Sequence, residues 1–291
     1  MIKQIGNKII SILVLFIMLI TVFSISVIAA PDKIIVGTSA DWPPFEWVDN
    51  NNNFVGFDMD LMKILASIQG YEVEIKDIGF DSLIPALQSG KIDLMAAGAT
   101  LTEERLEVLD ASTPYWEVNI GVLVTDNSEL NIATALTGGS TIGAQRGTTQ
   151  ADWLEDNLVQ QGIEVKIELY ETNDLGIIDL NNKRIDAFVA DTPAAEAFAE
   201  LNPIKIVGTF NTEDELVYYV QKGDPKGILP VINEGLTKVK MTSIWNNLVN
   251  AYFAGNLSKI SDCYAQFGQL LNKEEDLENY AQNLAECMML D

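Results

Sequence analysis

Two segments of the chain, residues 87–98 and 180–191, follow the same residue pattern. Each begins with a leucine, continues with a basic residue (Lys91 or Arg184) and an Ile-Asp pair, and ends in a short apolar run. Each also closes a series in which apolar strands alternate with helical segments, and this alternation is typical of a parallel sheet covered by helices on both faces. The repetition therefore predicts an α/β protein with two lobes of similar construction.

The hydrophobic pattern also predicts the individual elements. In the first half we expect strands at residues 33–37, 71–78 and 92–97, and helices at 58–69 and 82–89. In the second half we expect strands at residues 141–144, 165–170, 185–190 and 204–207, and helices at 147–161, 172–182 and 193–200.

Two further apolar segments, residues 119–125 and 216–220, are predicted to be strands that cross from one lobe to the other. Because the chain crosses twice, lobe 1 is built from two separate parts of the sequence. The predicted boundaries are residues 31–120 and 220–255 for lobe 1 and residues 121–219 for lobe 2.

A stiff aromatic loop, residues 38–47, follows the first predicted strand. Its sequence, TSADWPPFEW, places two carboxylates among three aromatic rings, and its prolines restrict the backbone. Rings beside carboxylates suit an organic ligand with positive charge, although such a loop can also bury its own rings in the core. Since ligands bind beyond the carboxyl ends of parallel strands, we expect a cleft between the lobes that closes by a hinge motion.

The groups at these strand ends suit an α-amino acid. Arg105 lies early in a predicted helix, where its charge opposes the helix dipole, so it pairs either with a ligand carboxylate or with a carboxylate of the protein. The helix start at residues 147–150 offers backbone N–H groups to an anion; capping alone accounts for one threonine there but not for the glycine. Asp191 either caps the helix that follows it or receives an ammonium group.

Other polar residues in this region fit helix caps. Asp58 stands at the start of the helix predicted over residues 58–69 and is expected to cap it. Thr100 and Glu103 have the spacing of a capping box. The side chains of Asp58 and Thr100 would then bind backbone groups of their own helices.

Composition excludes several functions. The formal net charge of −24 disfavours nucleic acid and anionic lipid as partners. The chain contains no histidine, which excludes His–Ser and His–Cys catalysis and imidazole ligands for a metal. We expect a monomer with no cofactor and no metal.

Residues 1–30 form a separate unit. Lys3 and Lys8 precede a nearly unbroken apolar run, which ends at Ala29 and Ala30. This pattern is typical of a cleaved signal peptide or, because the apolar run is long, of an N-terminal membrane anchor. In both cases the rest of the protein would work outside the cytoplasmic membrane.

The C-terminal extension, residues 256–291, is predicted to form one or two amphipathic helices. These helices either pack on the body of the protein or dock a partner. Cys263 and Cys287 lie in the extension and either form a disulfide between two helices or remain thiols. The apolar positions of the extension are Leu270, Leu271, Leu277, Tyr280, Leu284 and Met288.

The sequence resembles the extracellular solute-binding proteins of family 3, which deliver polar amino acids to ABC transporters. The motifs that carry the resemblance follow the family's order over roughly residues 32–254, and are GTSADWPPFEW, VGFDMDLMKIL, FDSLIPALQSGKIDLMAAGATLTEERLEVLDASTPYW, GAQRGTTQ and NNKRIDAFVADTP. The resemblance implies a two-lobed periplasmic-binding-protein fold of type II with two crossing strands as the hinge. It also implies a membrane permease as partner, and a location in the periplasm or on the outer face of the cytoplasmic membrane.

The motif positions imply roles for residues that face the charged groups of the ligand. Arg105, Thr100 and the amide of Thr149 would bind the ligand carboxylate. The Gly98 carbonyl and the Asp191 carboxylate would hold the α-ammonium group.

The motif positions also imply a site for the ligand side chain. Trp42 and Phe80 would sandwich it, and Gln145 would touch its far end. Polar side chains that stack flat, as in glutamine or arginine, are favoured. The complete set of predicted ligand-binding residues is Asp41, Trp42, Phe80, Gly98, Thr100, Arg105, Gln145, Thr148, Thr149 and Asp191.

One departure from the family pattern bears on the charge of the ligand. Members that take cationic ligands often have an acid at the position of Ser39. A basic ligand would therefore need Asp41 or Glu46 to substitute for that acid.

Two other functions fit the same fold. An enzyme resembling the cyclohexadienyl dehydratases would need an acid–base group in the cleft, which Glu46 or Asp41 would supply. The sensory domain of a receptor would need a second membrane span or a signalling domain after residue 254, and the sequence shows neither. We therefore expect a binding protein without catalytic activity.

Overall fold

The computed structural model describes residues 31–290. The predicted signal peptide or membrane anchor, residues 1–30, lies outside the described residues. Between residues 31 and 290, none of the helices combines the length and the apolar character needed to cross a membrane.

Strands and helices alternate along the chain, as predicted. In chain order, the strands are β1 (Lys33–Thr38), β2 (Asp41–Trp42), β3 (Glu46–Val48), β4 (Phe54–Val55), β5 (Glu72–Asp77), β6 (Leu94–Thr100), β7 (Leu109–Ala111), β8 (Trp116–Thr125), β9 (Ser140–Gln145), β10 (Val165–Tyr170), β11 (Ala187–Asp191) and β12 (Ile204–Gln221). The α-helices are α1 (Phe57–Gln69), α2 (Phe80–Gln88), α3 (Glu103–Val108), α4 (Ile132–Ala135), α5 (Thr149–Leu154), α6 (Asn173–Asn181), α7 (Thr192–Leu201), α8 (Ile228–Lys240), α9 (Ser243–Phe253), α10 (Ile260–Phe267) and α11 (Leu277–Met289).

The main sheet has a parallel group of strands at each end and two antiparallel strands in the middle. Its order is β10-β9-β11-β8-β12-β6-β1-β5, with β7 paired to β12. Strand β1 is parallel to β5 and β6, and β9 is parallel to β10 and β11. The long strands β8 and β12 pair antiparallel and connect the two groups. We call the β1–β5–β6 side lobe 1 and the β9–β10–β11 side lobe 2; this is the predicted two-lobed architecture.

The crossing strand β12 differs from the prediction. Residues 204–207 and 216–220 were expected as separate strands but belong to one strand, Ile204–Gln221. Its pairing with β8 shifts register between Ile206 and Gly208 and again between Phe210 and Asp214. Two strands were predicted in place of one because the apolar pattern is interrupted at these irregularities, although the backbone remains one continuous strand.

The internal repeat is present in three dimensions as well as in sequence. In lobe 1 the Asp93 carboxylate accepts a hydrogen bond from the Ile35 backbone N–H at 3.0 Å. In lobe 2 the Asp186 carboxylate accepts the equivalent bond from Thr141 at 2.8 Å. Lys183 adopts a φ of 57° at the turn where lobe 1 has a glycine. Each aspartate thus ties the start of its strand to the first strand of its own lobe.

The predicted cap at Asp58 is wrong. Helix α1 begins at Phe57, and its N-cap makes no side-chain hydrogen bond. The Asp58 carboxylate is buried and accepts hydrogen bonds from the hydroxyls of Tyr115 at 2.6 Å and Tyr218 at 3.0 Å. It also lies 3.4 Å from the backbone N–H of Gly98. These partners are distant in sequence and use the oxygens that a local cap would need.

The predicted capping box is also wrong. Thr100 is the last residue of β6, and Thr102 is the N-cap of α3, where its hydroxyl accepts from the Arg105 backbone N–H at 3.1 Å. The strand therefore continues further than its apolar pattern indicates. The hydroxyl of Thr100 is left free to face lobe 2.

The C-terminal extension packs against lobe 1. The Cys263–Cys287 disulfide joins α10 to α11, with a Cα–Cα distance of 5.9 Å. The Asn256 backbone N–H donates to the Met288 carbonyl at 2.9 Å, which closes the base of this helical pair. Apolar side chains of the extension share one hydrophobic cluster with lobe 1: Leu271, Leu277, Tyr280, Leu284 and Met288.

Candidate functional site

One cavity lies between the lobes, at the carboxyl ends of the parallel strands. About 410 Å³ of this space is free of protein atoms, part of it continuous with the solvent. Every predicted ligand-binding residue lines it. The lining residues are Ser39, Asp41, Trp42, Glu46, Phe80, Ala97, Gly98, Thr100, Arg105, Gln145, Thr148, Thr149, Gln150, Asn173, Val189, Ala190 and Asp191.

Arg105 is a buried cation held by backbone carbonyls. Its guanidinium donates to the Thr100 carbonyl at 2.8 Å and to the Gly147 carbonyl at 3.2 Å, and its central carbon lies 5.6 Å from the centre of the Phe80 ring. Among residues 31–290, no carboxylate lies within salt-bridge distance of it. The alternative of an intramolecular salt bridge is therefore wrong, and the charge of Arg105 is available to an anion in the cavity.

Thr148 and Thr149 begin α5 on the opposite wall. The Thr148 hydroxyl donates to the Gln145 carbonyl at 2.7 Å and accepts from the Ala151 N–H at 3.3 Å, so Thr148 is the cap. The Thr149 hydroxyl lies 3.1 Å from the hydroxyl of Thr100 in lobe 1. The two threonines therefore have different roles: Thr148 caps the helix, and the Thr149 hydroxyl faces lobe 1 across the cleft.

Asp191 ends β11 and points into the cavity. It occupies the N-cap position of α7, but its side chain makes no capping bond there, so the capping alternative is wrong. Instead, its carboxylate accepts a hydrogen bond from the side-chain amide of Gln150. The pKa of Asp191 is raised to about 8, mainly by burial and to a lesser degree by the negative charge of Asp214. An ammonium group beside it would favour the ionised carboxylate.

Asp41 lies in a polar network that joins the lobes. Its carboxylate accepts from the Asn173 backbone N–H at 2.7 Å, and from the side chains of Asn173, Gln145 and Ser39 at 3.3 Å each. Burial raises the pKa of Asp41 to about 6 despite these donors. Asn173 and Gln145 belong to lobe 2, so the network exists only when the lobes are close together.

Glu46 is the least satisfied carboxylate of the site. It is 1% exposed and lines the cavity, and none of the residues that the structure describes donates a hydrogen bond to its Oε2 atom. Burial raises its pKa well above the ordinary range, and the negative charges of Asp58, Asp41 and Asp191 raise it further. A neighbouring cation would offset both the cost of burying the ionised carboxylate and its repulsion by the neighbouring carboxylates.

The Trp42 ring packs close to the backbone of Gly98. A Cβ atom added at Gly98 would come within 1.6 Å of the Trp42 ring, and Gly98 has a φ of +49°. Trp42 also stacks on Phe45 with a centroid distance of 4.6 Å. The position of this indole wall therefore requires glycine at position 98.

The lobes are in contact across the cavity, in the closed arrangement. Thr100 meets Thr149, and Arg105 reaches the Gly147 carbonyl on the opposite lobe. An enclosed site with a cation at one place and carboxylates at others can hold a small zwitterion, with water excluded.

Sequence reasoning missed several cavity residues. Gln150 and Asn173 each sit at the start of a helix after a lobe 2 strand, which was the available signal. Glu46 was predicted as a possible substitute acid for a basic ligand or as an acid–base group, but it was not included among the predicted ligand-binding residues. Its position in the cavity depends on the pairing of β3 with β2, which the sequence pattern did not reveal.

Comparison with known proteins gives a consistent result. Residues 34–255 match the model of the bacterial extracellular solute-binding proteins, family 3. The ABC transporter arginine-binding protein 1 of Escherichia coli (strain K12) is 32% identical over 230 residues, which cover 77% of this chain and 92% of that protein.

Solved structures show the same similarity. An ancestral arginine-binding protein has been solved bound to arginine and bound to glutamine. Each of the two structures is 34% identical to this chain, with a TM-score of 0.71. The match covers 77% of this chain, 99% of the arginine-bound chain and 98% of the glutamine-bound chain. The ancestral amino acid-binding protein AncCDT-1, a precursor of cyclohexadienyl dehydratase, is 32% identical with a TM-score of 0.69, over 76% of this chain and 96% of that one.

Proposed function

The chain belongs to family 3 of the bacterial extracellular solute-binding proteins, and from this membership we propose that it binds a polar L-amino acid outside the cytoplasmic membrane and delivers it to the permease of an ABC importer. The observation that carries the proposal is that the Arg105 guanidinium and the Asp191 carboxylate line the same cavity. Arg105 has no carboxylate partner within residues 31–290, and Asp191 faces the same space. A zwitterion supplies a counter-charge for each.

The charged groups of the amino acid have complementary positions in the cavity. Arg105, the Thr100 hydroxyl and the Thr149 amide bind the carboxylate, since a guanidinium fork and N–H donors match its oxygens. The Gly98 carbonyl and Asp191 hold the ammonium group. Closing the lobes then excludes water and strengthens each of these contacts.

The side chain of the ligand lies between Trp42 and Phe80 and extends toward Gln145. These residues favour a flat, polar group, and glutamine and arginine both offer one. An ancestral arginine-binding protein with similar sequence and fold has been solved with each of these two amino acids, which supports the same pair here.

The moving bodies are residues 31–120 with 220–255, and residues 121–219, connected by β8 and β12. Opening breaks the contacts of Asp41 with Asn173 and Gln145, and closing restores them. The protein acts as a monomer that presents its closed form to the permease. We propose binding without catalysis, because the relatives named above are binding proteins, and turnover of prephenate or arogenate would contradict it.

The test is titration calorimetry of the soluble chain against the common L-amino acids, after denaturation and refolding to remove carried ligand. We expect one-to-one binding of at least one polar amino acid, and loss of most of that affinity in Arg105→Ala. Asp77→Asn, a substitution at the outer rim of the cleft, is the matched control. Failure of every polar amino acid to bind would overturn the proposal.

A further inference from the structure

We propose that Tyr219, on the crossing strand β12, is a positioning residue for the carboxylate site, because its hydroxyl fixes the turn that holds the Arg105 guanidinium. The inference rests on the proposed function, since it assumes that Arg105 binds the carboxylate of an amino acid. Tyr219 does not line the cavity, and it lies outside the motifs that carry the family resemblance. It therefore adds a residue that acts on the ligand through another side chain.

The hydroxyl of Tyr219 joins the two ends of the turn between β6 and α3. It donates to the Thr100 carbonyl at 2.8 Å and accepts from the Thr102 backbone N–H at 3.2 Å. A phenol has one hydrogen to donate and can also accept, so both capacities of this hydroxyl are used on the same turn. Burial raises the pKa of Tyr219, although the charge of Arg105 acts in the opposite direction, and the phenol stays in its protonated, donating form.

The same turn holds Arg105 by its side chain and by its backbone. The guanidinium donates to the Thr100 carbonyl at 2.8 Å, and the Arg105 backbone N–H donates to the Thr102 hydroxyl at 3.1 Å. A carbonyl oxygen has two lone pairs, so the Thr100 carbonyl accepts from Tyr219 and from Arg105 at once. A movement of this carbonyl would therefore move the guanidinium.

An irregularity in β12 lies next to Tyr219. The pairing of β12 with β6 shifts register immediately before this residue. Tyr219 is aligned with Met95, but its hydroxyl reaches Thr100 at the far end of β6. Irregularities of this kind often redirect a side chain beside a functional site. The crossing strand thus supports the carboxylate site without entering the cavity.

The ring of Tyr219 is held in place by packing. Tyr219 is buried and belongs to the same hydrophobic cluster as Phe80. The centre of the Phe80 ring lies 5.6 Å from the central carbon of the Arg105 guanidinium. Because phenylalanine keeps the ring, its substitution for Tyr219 removes the hydroxyl and preserves this packing.

The contribution of Tyr219 should be largest when the lobes are apart. The guanidinium of Arg105 also donates to the Gly147 carbonyl of lobe 2 at 3.2 Å, and opening of the cleft removes this bond. Of the two carbonyls that hold the guanidinium, only that of Thr100 belongs to lobe 1 and moves with Arg105. An arginine that is already in position when the ligand arrives loses less conformational freedom on binding, which increases the affinity.

Tyr219→Phe tests the role of the hydroxyl. We expect binding of L-arginine or L-glutamine, whichever binds the wild type, to weaken about three- to tenfold, the range for one lost hydrogen bond. Titration calorimetry measures the affinity. In stopped-flow fluorescence the association rate constant should fall by the same factor, because fewer open molecules hold Arg105 in position, and the dissociation rate constant should change little.

Tyr252→Phe is the matched control. It also removes a buried tyrosine hydroxyl of lobe 1, but the partner of that hydroxyl is Asp60, which does not line the cavity. The control should lower the stability and leave the affinity and the association rate constant unchanged. An equal loss of affinity in both variants would show a general loosening of lobe 1 and overturn the inference.

A double-mutant cycle determines whether Tyr219 acts through Arg105. In the Arg105→Ala background, Tyr219→Phe should change the affinity by less than about twofold, because the side chain that it positions is absent. A loss as large as in the wild-type background would mean that the hydroxyl acts independently of Arg105. That result would overturn the inference.

A measurement on the wild type remains available if Tyr219→Phe does not fold. In the ligand-free protein, the NMR order parameter of the Arg105 Nε–H bond should lie above about 0.6, and a lower value, typical of flexible groups, would overturn the inference. An affinity of Tyr219→Phe less than about threefold below that of the wild type overturns the inference alone, while the proposed function stands. Failure of the wild type to bind any polar amino acid overturns both.

Discussion

Two buried carboxylates in lobe 1, Glu46 and Asp60, differ in the partners that surround them. Asp60 lies beneath the C-terminal extension, where its Oδ2 atom accepts hydrogen bonds from the hydroxyls of Tyr252 and Tyr280. Its Oδ1 atom has no hydrogen-bond donor within residues 31–290 but lies 3.6 Å from the Lys63 ammonium, with which it forms an ion pair. Glu46 faces the cavity, and its Oε2 has no donor within the described chain. Burial raises the pKa of both residues, so burial alone does not distinguish them.

What distinguishes the two sites is the source of the partners. At Asp60 every partner belongs to the chain, and one of them, Tyr280, comes from the extension that lies beyond the family match. Lys63 also donates to Tyr264 of the extension at 2.7 Å. The extension is therefore part of the folded structure of lobe 1. At Glu46, by contrast, no residue within 31–290 donates to Oε2, and no lysine or arginine in that range forms an ion pair with the carboxylate.

The most severe test of this comparison is to neutralise each carboxylate. Asp60→Asn weakens the charge-assisted hydrogen bonds from the buried Tyr252 and Tyr280 hydroxyls and removes the counter-ion of the partly buried Lys63, so we expect a loss of about 3–5 kcal/mol in the free energy of unfolding. Glu46→Gln replaces a buried carboxyl group whose raised pKa disfavours its ionised form, and it should leave the stability of the unliganded protein unchanged or increased. Urea denaturation of both variants measures this, and a similar loss in both would show that the two sites do not differ.

Removal of the disulfide tests the extension without touching the cleft. The double variant Cys263→Ser/Cys287→Ser should lose about 3 kcal/mol of unfolding free energy, because the bond closes a loop with a sequence separation of 24. Amino acid affinity should stay within about twofold of the wild type, well below the tenfold that corresponds to 1.4 kcal/mol. A large loss of affinity would mean that the extension also shapes the cavity.

The pH dependence of stability tests the cleft. Burial raises the pKa of Asp41 to about 6, of Asp58 to about 7 and of Asp191 to about 8. The folded protein therefore binds more protons than the unfolded chain above pH 4, and the stabilisation present at low pH is lost as the pH rises through these values. We expect the unliganded protein to lose at least about 2 kcal/mol between pH 5 and pH 7, since each pKa unit corresponds to about 1.4 kcal/mol.

Denaturation curves at several pH values, with and without ligand, provide the measurement. Because the ligand favours ionised carboxylates, its presence should weaken the decline, and Glu46→Gln should weaken it in the free protein. Stability that rises between pH 5 and pH 7 in the absence of ligand would contradict the assignment of these raised pKa values.

The smallest expected effect concerns Arg105. Arg105→Ala should weaken ligand binding at least tenfold, about 1.4 kcal/mol, which is the lower range for a lost hydrogen bond to a charged group. Its effect on unfolding should be smaller than that of Asp60→Asn, since the guanidinium is held only by backbone carbonyls. Unchanged affinity would remove Arg105 from the carboxylate site.

Much of the fold could be predicted because its signals are local. The alternation of apolar strands and helices depends on neighbouring residues, and glycines 70, 90 and 162, all with positive φ, mark the ends that were expected. The repeat around Asp93 and Asp186 indicated two similar lobes before any contact was known. The motifs also selected residues that the structure places around one cavity, because strand ends meet at one edge of a parallel sheet.

The tertiary structure decided what each polar side chain does. Asp58 had the position of a helix cap, but Tyr115 and Tyr218 bind it from elsewhere in the chain. The sequence by itself determined that carboxylates stand at positions 41, 46 and 60, and it did not distinguish their roles. Their roles depend on donors that approach from distant segments, and in a buried environment those donors decide whether a charge is satisfied by the protein or remains available to a ligand.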